Sequence, residues 1–487
     1  MDIQIEHQAF ITHHVNPVLE DLLTALLADR PSNVLHFCIS HLCKKAKVPS
    51  PVEGTSAGVV GVTEPPPQPD IHDTAAAAVP VGSGQSSFFE RLTEAPDDTI
   101  IALTSAYKAD TSREKVNAVR GAYRTDEGEP YVFPIVRKAE QELANDTTTD
   151  KEYLPVDGLH ELKAPTQVML FGSDSAAVRE QRIASAQVLS GTGGLRVIGE
   201  LIRRNVKGCR SVYVSRPTWA IHRQLFEACG LEVVEYDYWD EWSRAIDVQG
   251  MIQALKEAEP HSMVVFHACA HNPTGMDPTA KEWDDIIAVV RERRLIPLVD
   301  SAYQGYASGD LVRDAQAVRK FADAGECIVV QSFAKNMGLY GERVGMLHVV
   351  CSTKPIAQTV LSHIKQTIRP MYSSPPSHGG RLALLLLTKY RTEWESQLAD
   401  VSGRVASMRR QLREAIEKKG TRGSWEHITQ QIGMFSFTGL SESQCEELLT
   451  KWHVYMLRNG RLNVAALTSG NVGYVADAIH DVVTNTA

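Results

Sequence analysis

The chain contains no apolar run long enough to cross a bilayer, which removes a transmembrane anchor from its expected architecture. It lacks an excess of positive charge: 50 basic against 59 acidic residues leave a net charge of −9. With no basic stripe either, nucleic acid is not the expected main partner. Its eight cysteines form no CxxC pair and lie scattered from Cys38 to Cys445. In a chain of 487 residues they read as reduced thiols of an intracellular protein, not a disulfide framework. The first ten residues, MDIQIEHQAF, carry acids and lack a basic-then-apolar signal pattern. There is no internal repeat. These absences together predict a soluble, cytosolic protein with no membrane insertion. The length predicts more than one folding unit.

What is present falls into three parts. Residues 1–47 read as a short helical unit. Val48 to about Ser87 reads as a flexible linker, with Pro65-Pro66-Pro67, Ala75 to Ala78 and Gly82-Ser83-Gly84, and too few large apolar residues for a core. From Phe88 onward, short apolar segments alternate with amphipathic helical patterns. Strands are expected at Val168–Phe171, Ser211–Val214, Glu232–Tyr236, Met263–His267, Ile296–Asp300, Cys327–Ser332 and Met346–Val350. That alternation predicts an α/β fold with a doubly wound, mostly parallel sheet. Ligands in such sheets bind beyond the carboxyl ends of the strands, and His267, Asp300 and Ser332 sit at or just past such ends.

The most informative run is Gln331-Ser332-Phe333-Ala334-Lys335-Asn336-Met337-Gly338-Leu339-Tyr340-Gly341-Glu342-Arg343. A strand delivers a serine, a lysine and, eight residues after the lysine, an arginine into one small region. A lysine that captures the aldehyde of pyridoxal 5'-phosphate needs that company, because the cofactor phosphate requires a hydroxyl and a guanidinium nearby. Asp300 ends the apolar run Leu295–Val299. It can serve a protonated pyridine nitrogen, although alone it reads first as a helix N-cap. Asn272 and Tyr303 can reach a phenolate oxygen, while Asn272-Pro273 also reads as plain turn chemistry. Ser190-Gly191-Thr192-Gly193-Gly194 opens a helical stretch, Leu195 to Arg204, and small residues there expose N–H groups to an anion. Trp219 can stack on a flat ring or be an ordinary core residue. Arg461 and Arg369 suit a dicarboxylic substrate, or are solvated surface arginines.

The segments SGTGG, HACAHNPTG, DSAYQG, SFAKNMGLYGERVG and RNGRLNVAALTSGNVGYVADAIH occur in one colinear order, and the chain from about 88 to 487 resembles the aspartate aminotransferase family. The resemblance implies a fold type I homodimer with pyridoxal 5'-phosphate, acting on dicarboxylic amino acids and oxoacids. It implies a small-domain part at 88–130, a cofactor-binding large domain at 131–402, and the rest of the small domain at 403–487. By motif, Lys335 holds the cofactor and shuttles the α-proton, Asp300 pairs with the pyridine nitrogen, and Tyr303 and Asn272 bind the phenolate oxygen. Trp219 stacks on the ring. Ser190, Gly191, Thr192, Ser332 and Arg343 hold the phosphate, with Tyr153 reaching the neighbouring subunit's phosphate. His222 and His267 stand behind Asp300. Arg461 clamps the α-carboxylate, and Arg369 reaches across the dimer to the distal one. Gly121 belongs to the segment that closes over substrate. Two departures stand out: Val119 and Arg120 replace a usual glycine and a usual small apolar residue, and Ser374 replaces a usual asparagine. A cation at 120 that points into the site would crowd it or draw in a more acidic substrate.

In the N-terminal part, Leu19, Leu22, Leu23, Leu26 and Leu27 follow a helical period, and Arg30-Pro31 ends that helix. Ser32 can cap a second helix carrying Val34, Leu35, Phe37, Cys38, Ile39 and Leu42, with Lys44, Lys45 and Lys47 at its end. Two such helices cannot bury this much apolar surface alone, so pairing into a four-helix unit is expected. The pattern LxxLLxxLLxxxPxxVLxF, over residues 15–47, resembles the RIIa-like docking and dimerisation domain of the protein kinase A regulatory subunit. That resemblance implies a groove for the amphipathic anchoring helix of a scaffold, of a kind frequent in the axoneme of the cilium or flagellum. Three readings follow: a tethered, active aspartate aminotransferase; a structural protein that keeps the fold with little turnover; and an aminotransferase of shifted specificity.

Overall fold

The computed structural model describes residues 16–29, 34–46, 88–89, 92–95 and 97–486. The expected linker at 48–87 and the break at Arg30-Pro31-Ser32 lie outside the described residues. The chain divides into two compact units, Met1–Leu92 and Thr93–Ala487. In the first, helices α1 (Asn16–Asp29) and α2 (Val34–Ala46) appear where the leucine period places them. Asp21 on α1 takes His41 Nε2 at 2.8 Å and Lys45 Nζ at 2.7 Å from α2, an arrangement that requires the helices to run antiparallel. Leu19 and Leu23, one turn apart, remain more than half exposed (56% and 57%).

The second unit is organised by a seven-stranded sheet. Its strands are β1 (Ile183–Val188), β2 (Ser211–Arg216), β3 (Glu232–Asp237), β4 (Met263–His267), β5 (Ile296–Ser301), β6 (Cys327–Ser332) and β7 (Gly345–Val350), in spatial order β1-β7-β6-β5-β4-β2-β3. All neighbours run parallel except β7, which is antiparallel to both β1 and β6. Successive side chains of a strand point to opposite faces. Accordingly Val264, Phe266, Val299 and Val329 enter one apolar cluster, and Met263, Val265, Leu298, Ile328 and Val330 enter another. Covered on both faces, these strands read as continuous apolar runs instead of alternating ones.

One expected strand is wrong. Val168–Phe171 is the last turn of helix α3 (His160–Phe171), whose Leu162, Thr166, Met169 and Leu170 are buried at helical spacing. A four-residue apolar run carries no period that separates helix from strand. The strand that takes its place, β1, went unrecognised because it reads Ile-Ala-Ser-Ala-Gln-Val. Its polar members are buried with partners: the Ser185 hydroxyl meets His348 Nδ1 at 2.8 Å, and Gln187 Nε2 donates to the Pro376 carbonyl at 2.8 Å. The helix expected from Leu195 begins five residues earlier, as α4 (Ser190–Asn205).

Both ends of this unit meet away from the sheet. Val116–Asn117 pairs in parallel with Val454–Tyr455, and Phe435–Phe437 pairs antiparallel with Arg461–Asn463. Beyond α5 (Lys354–Tyr372) runs the long helix α6 (Arg391–Lys418). Its buried Trp394, Leu398, Val401, Val405, Met408, Leu412 and Ile416 recur at three or four residues and form one apolar stripe. The chain closes with α7 (Val472–Asn485), itself buried along one side.

Candidate active site

The sheet register brings the carboxyl ends of its central strands together. His267 lies opposite Asp300, and Gly345 lies opposite both Ser332 and Val188. Position 345 must be glycine for close approach: a Cβ there would sit 2.3 Å from the Gln331 carbonyl oxygen and 2.9 Å from Ser190 Cα. The strands therefore deliver their termini to one cavity of about 210 Å³. Ser190, Gly191, Thr192, Trp219, Asn272, Asp300, Tyr303, Ser332, Lys335, Arg343, Arg461, His267 and Gly121 all line it.

Three features of this cavity fit pyridoxal phosphate. First, α4 begins without a side-chain cap, so its leading N–H groups face the cavity at Ser190, Gly191 and Thr192. The Ser190 and Ser332 hydroxyls lie 2.9 Å apart beside it. Second, Asp300 Oδ1 is buried with no partner, an acceptor that lacks its donor. Third, the Lys335 ammonium lies 5.2 Å from the centre of the Tyr303 ring. Loss of water around Lys335 lowers its pKa, opposed by the attraction of Asp300 and reinforced by Arg343 and Arg461. A lysine so placed keeps more of its amine free to react.

Behind Asp300 stands a directed chain of hydrogen bonds. The Asn272 backbone N–H donates to His267 Nδ1 at 2.9 Å, which assigns the His267 proton to Nε2, facing the Thr218 hydroxyl at 3.5 Å. Thr218 meets His222 Nδ1 at 2.9 Å, and His222 Nε2 meets Asp300 Oδ2 at 3.3 Å. Burial drives the His267 pKa well below its ordinary 6.5, with repulsion from His271 adding to it. Burial alone raises the Asp300 carboxyl, but the His222 hydrogen bond and neighbouring charge outweigh it, and the net shift is downward. Asp300 is thus an ionised carboxylate with one free oxygen toward the cavity.

Arg461 is buried, donates from Nη2 to the Val119 carbonyl at 2.9 Å and from Nη1 to Asn272 Oδ1 at 3.4 Å, and leaves Nε without a partner. Its guanidinium lies 4.1 Å from the centre of the Phe435 ring. Burial lowers its pKa to about 10, partly offset by Tyr303.

The pyridoxal-type cavity, the uncapped helix and the free Asp300 oxygen narrow the chemistry, and the relatives decide the family. The family model "Aminotransferase class I and II" matches residues 113–479. The chain belongs to the class I and II aminotransferases. Among relatives of this aminotransferase, aspartate aminotransferase 3, chloroplastic, of Arabidopsis thaliana is 48% identical over 406 residues, covering 83% of this chain and 90% of that protein. The solved aspartate aminotransferase from Saccharomyces cerevisiae cytoplasm is 39% identical with a TM-score of 0.80, covering 82% of this chain and 99% of that one. An aromatic-amino-acid aminotransferase from Burkholderia pseudomallei, covalently bound to pyridoxal phosphate, is 38% identical with a TM-score of 0.79, covering 82% and 100%.

Some expected residues of the aminotransferase site stand apart from the cavity. Tyr153 is 89% exposed, and Arg369 is exposed near the end of α5, donating to Ser373 Oγ at 2.5 Å. His222 lies behind Asp300 and not in the cavity wall. Ser374 is half-buried and away from the lining. Arg120 is exposed and does not line the cavity; Val119 beside it is fully buried and contributes its carbonyl to Arg461. Gly121 does reach the cavity, where a Cβ would meet Phe435 Cζ at 2.9 Å. Sequence reasoning missed Ile100, Ala302, Ala334 and Phe435, which complete the lining. Ala302 and Ala334 flank residues already singled out, but Ile100 and Phe435 come from distant segments with no chemical signature.

Proposed function

We propose that this aminotransferase moves the amino group between L-aspartate and 2-oxoglutarate, giving oxaloacetate and L-glutamate. The observation that carries amino-acid transfer is Arg461: a buried guanidinium with no carboxylate partner among the described residues, 4.1 Å from the Phe435 ring in the wall of the lysine cavity. Such a cation awaits a carboxylate from outside. The fold does not choose between substrates, because aspartate and aromatic aminotransferases match it equally well, at TM-scores of 0.80 and 0.79. Relatives named aspartate aminotransferases at 45–48% identity tip the choice.

Pyridoxal phosphate, when bound, supplies a covalent carrier for the amino group and an electron sink for the bond broken at Cα. The uncapped start of α4, with Ser332 and Arg343, would hold its phosphate. Asp300 Oδ1 would accept from its ring nitrogen. Asn272 and Tyr303 would bind its phenolate oxygen, and Trp219 would cover its face. Arg461 orients the substrate by its α-carboxylate. Lys335 Nζ, its pKa lowered by loss of water, takes the proton from Cα as a general base and returns one later. Arg369 and Tyr153, both exposed on the single chain, would serve a neighbouring subunit's site in a homodimer.

The exposed Leu19 and Leu23 on α1 support a second element of the reading: the helical pair associates with a second copy and docks an anchoring helix of a scaffold, in the cytoplasm or at a ciliary or flagellar axoneme. The division 88–130, 131–402 and 403–487 remains our assignment of the enzyme's small and large domains. The test is the visible absorbance of the cofactor-loaded protein before and after L-aspartate. A change reversed by 2-oxoglutarate is expected. No response to aspartate, with a response to another amino acid, would overturn the substrate. No response to any amino acid would favour the structural role.

A further inference from the structure

Only two arginines among the described residues are buried, Arg461 at 4% and Arg409 at 3% exposure. They share more than burial. Arg461 has only uncharged oxygens as partners, an unpartnered Nε, and a place in the wall of a cavity of about 210 Å³. Arg409, on α6, donates from Nη1 to the Ile428 carbonyl at 3.1 Å and from Nη2 to the carbonyls of Gly433, at 2.8 Å, and Phe435. Its Nε also has no partner, and it lines a different cavity of about 210 Å³. A guanidinium offers five N–H donors, and three bonds leave two unused.

The charges around this second cavity are one-sided. Arg410 stands at its wall, exposed and without an ion pair among the described residues, and Ser402, Thr429 and Gln431 add polar side chains. No carboxylate is among its lining residues. The nearby Arg413 is occupied, paired with Glu417 at 2.7 Å and Glu426 at 3.6 Å, and it donates to Thr429 Oγ1 at 2.8 Å. Burial lowers the Arg409 pKa to about 9, partly offset by the phenol of Tyr306, whose own hydroxyl is buried without a partner. A buried cation held only by carbonyls carries a desolvation penalty that an anion would relieve.

We propose that this cavity between α6 and residues 429–433 is a binding site for a small oxyanion, held by Arg409 and Arg410. It is separate from the catalytic cavity, whose wall includes Phe435, but Phe435 links the two arginines: Arg409 holds the Phe435 carbonyl, and Arg461 lies against its ring. The site does not depend on which amino acid the enzyme transfers.

The probe is inorganic phosphate, titrated by equilibrium dialysis into the cofactor-loaded full chain, whose cofactor phosphate cup is already filled. Saturable binding of one phosphate per chain is expected, weakened about fivefold or more in Arg410→Gln through loss of one charge-assisted contact. Arg410 is exposed, so this variant should fold, and its response to L-aspartate should equal the parent's. Arg409→Lys, if it folds, should weaken binding further. A parallel arm with acetate, counting only the binding that Arg410→Gln weakens, identifies the source: tighter acetate would assign the site to a carboxylate, tighter phosphate to a phosphate, and either supports an oxyanion. Absence of saturable binding by both anions, or binding unchanged in Arg410→Gln, would overturn the proposal.

Discussion

The N-terminal helical pair and the aminotransferase unit put the same residue types to different use. In the sheet, Val264, Val265, Leu298 and Val329 are at most 1% exposed, because strand neighbours and helices cover both faces. On α1, Leu19 and Leu23 stay more than half exposed, because among the described residues of this unit two short helices have one face each to cover and nothing further over it. The aminotransferase unit buries its sheet core within one chain, whereas the pair leaves apolar side chains of its own helices exposed. Its unburied leucines are the surface that the proposed association with a second copy would cover. Polar ties differ as well. The Asp21 pairs of the helical hairpin sit in solvent, where ion pairs contribute little. Ser185, His348, Gln187 and Asp300 have partners inside, where a lost partner is costly.

The largest expected effect separates chemistry from assembly. Lys335→Ala should lower kcat by at least about 10⁴-fold, since it removes both the covalent attachment and the proton carrier. Size-exclusion mass measurement should show its assembly unchanged. The reverse experiment is the paired change Leu19→Asp with Leu23→Asp in the full chain. It should abolish recovery of the protein on an immobilised amphipathic anchoring helix, while steady-state kcat stays within about twofold. Retained capture would show that the leucine face is not the docking surface.

Acid should strike the aminotransferase unit first. Burial lowers the His348 pKa to about 3, and drives those of His267 and His271 well below 6.5. A histidine with a depressed folded pKa binds its proton more readily when unfolded. Its contribution is full above the unfolded value of 6.5 and is lost as pH falls below it, by at most about 1.4 kcal/mol per pH unit for each group. Asp21 in the helical pair has a carboxyl lowered from 3.8, first by Lys45 and then by His41, so its contribution fades only below that value. Urea unfolding of the full chain from pH 7 to 5 should show falling stability of the aminotransferase unit, and His348→Gln should flatten the slope. A slope unchanged in that variant would remove His348 from the account.

The smallest effect tests the 116–121 segment. Arg120 lies outside the cavity, so Arg120→Val should change kcat/KM for L-aspartate by less than about threefold. A larger change, or a new preference among amino acids, would favour shifted specificity.

The lining of the Lys335 cavity was largely legible in the sequence. Lys335, Asp300, Asn272 and Ser332 belong to long runs in one order, and the strands that contain or lead into them, β4, β5 and β6, are apolar enough to recognise. Local pattern also placed α1 and α2. It failed at Val168–Phe171, too short to show a period, and at β1, whose Ser185 and Gln187 look exposed until His348 and the Pro376 carbonyl supply partners. Tertiary structure alone decided three further things. It set Ile100 and Phe435 in the catalytic wall, turned Arg120 away from it, and buried Arg409 as deeply as Arg461. The physical reason is range: propensity and motif act over a few residues, whereas burial and unmet hydrogen bonds depend on what the fold brings from a hundred residues away.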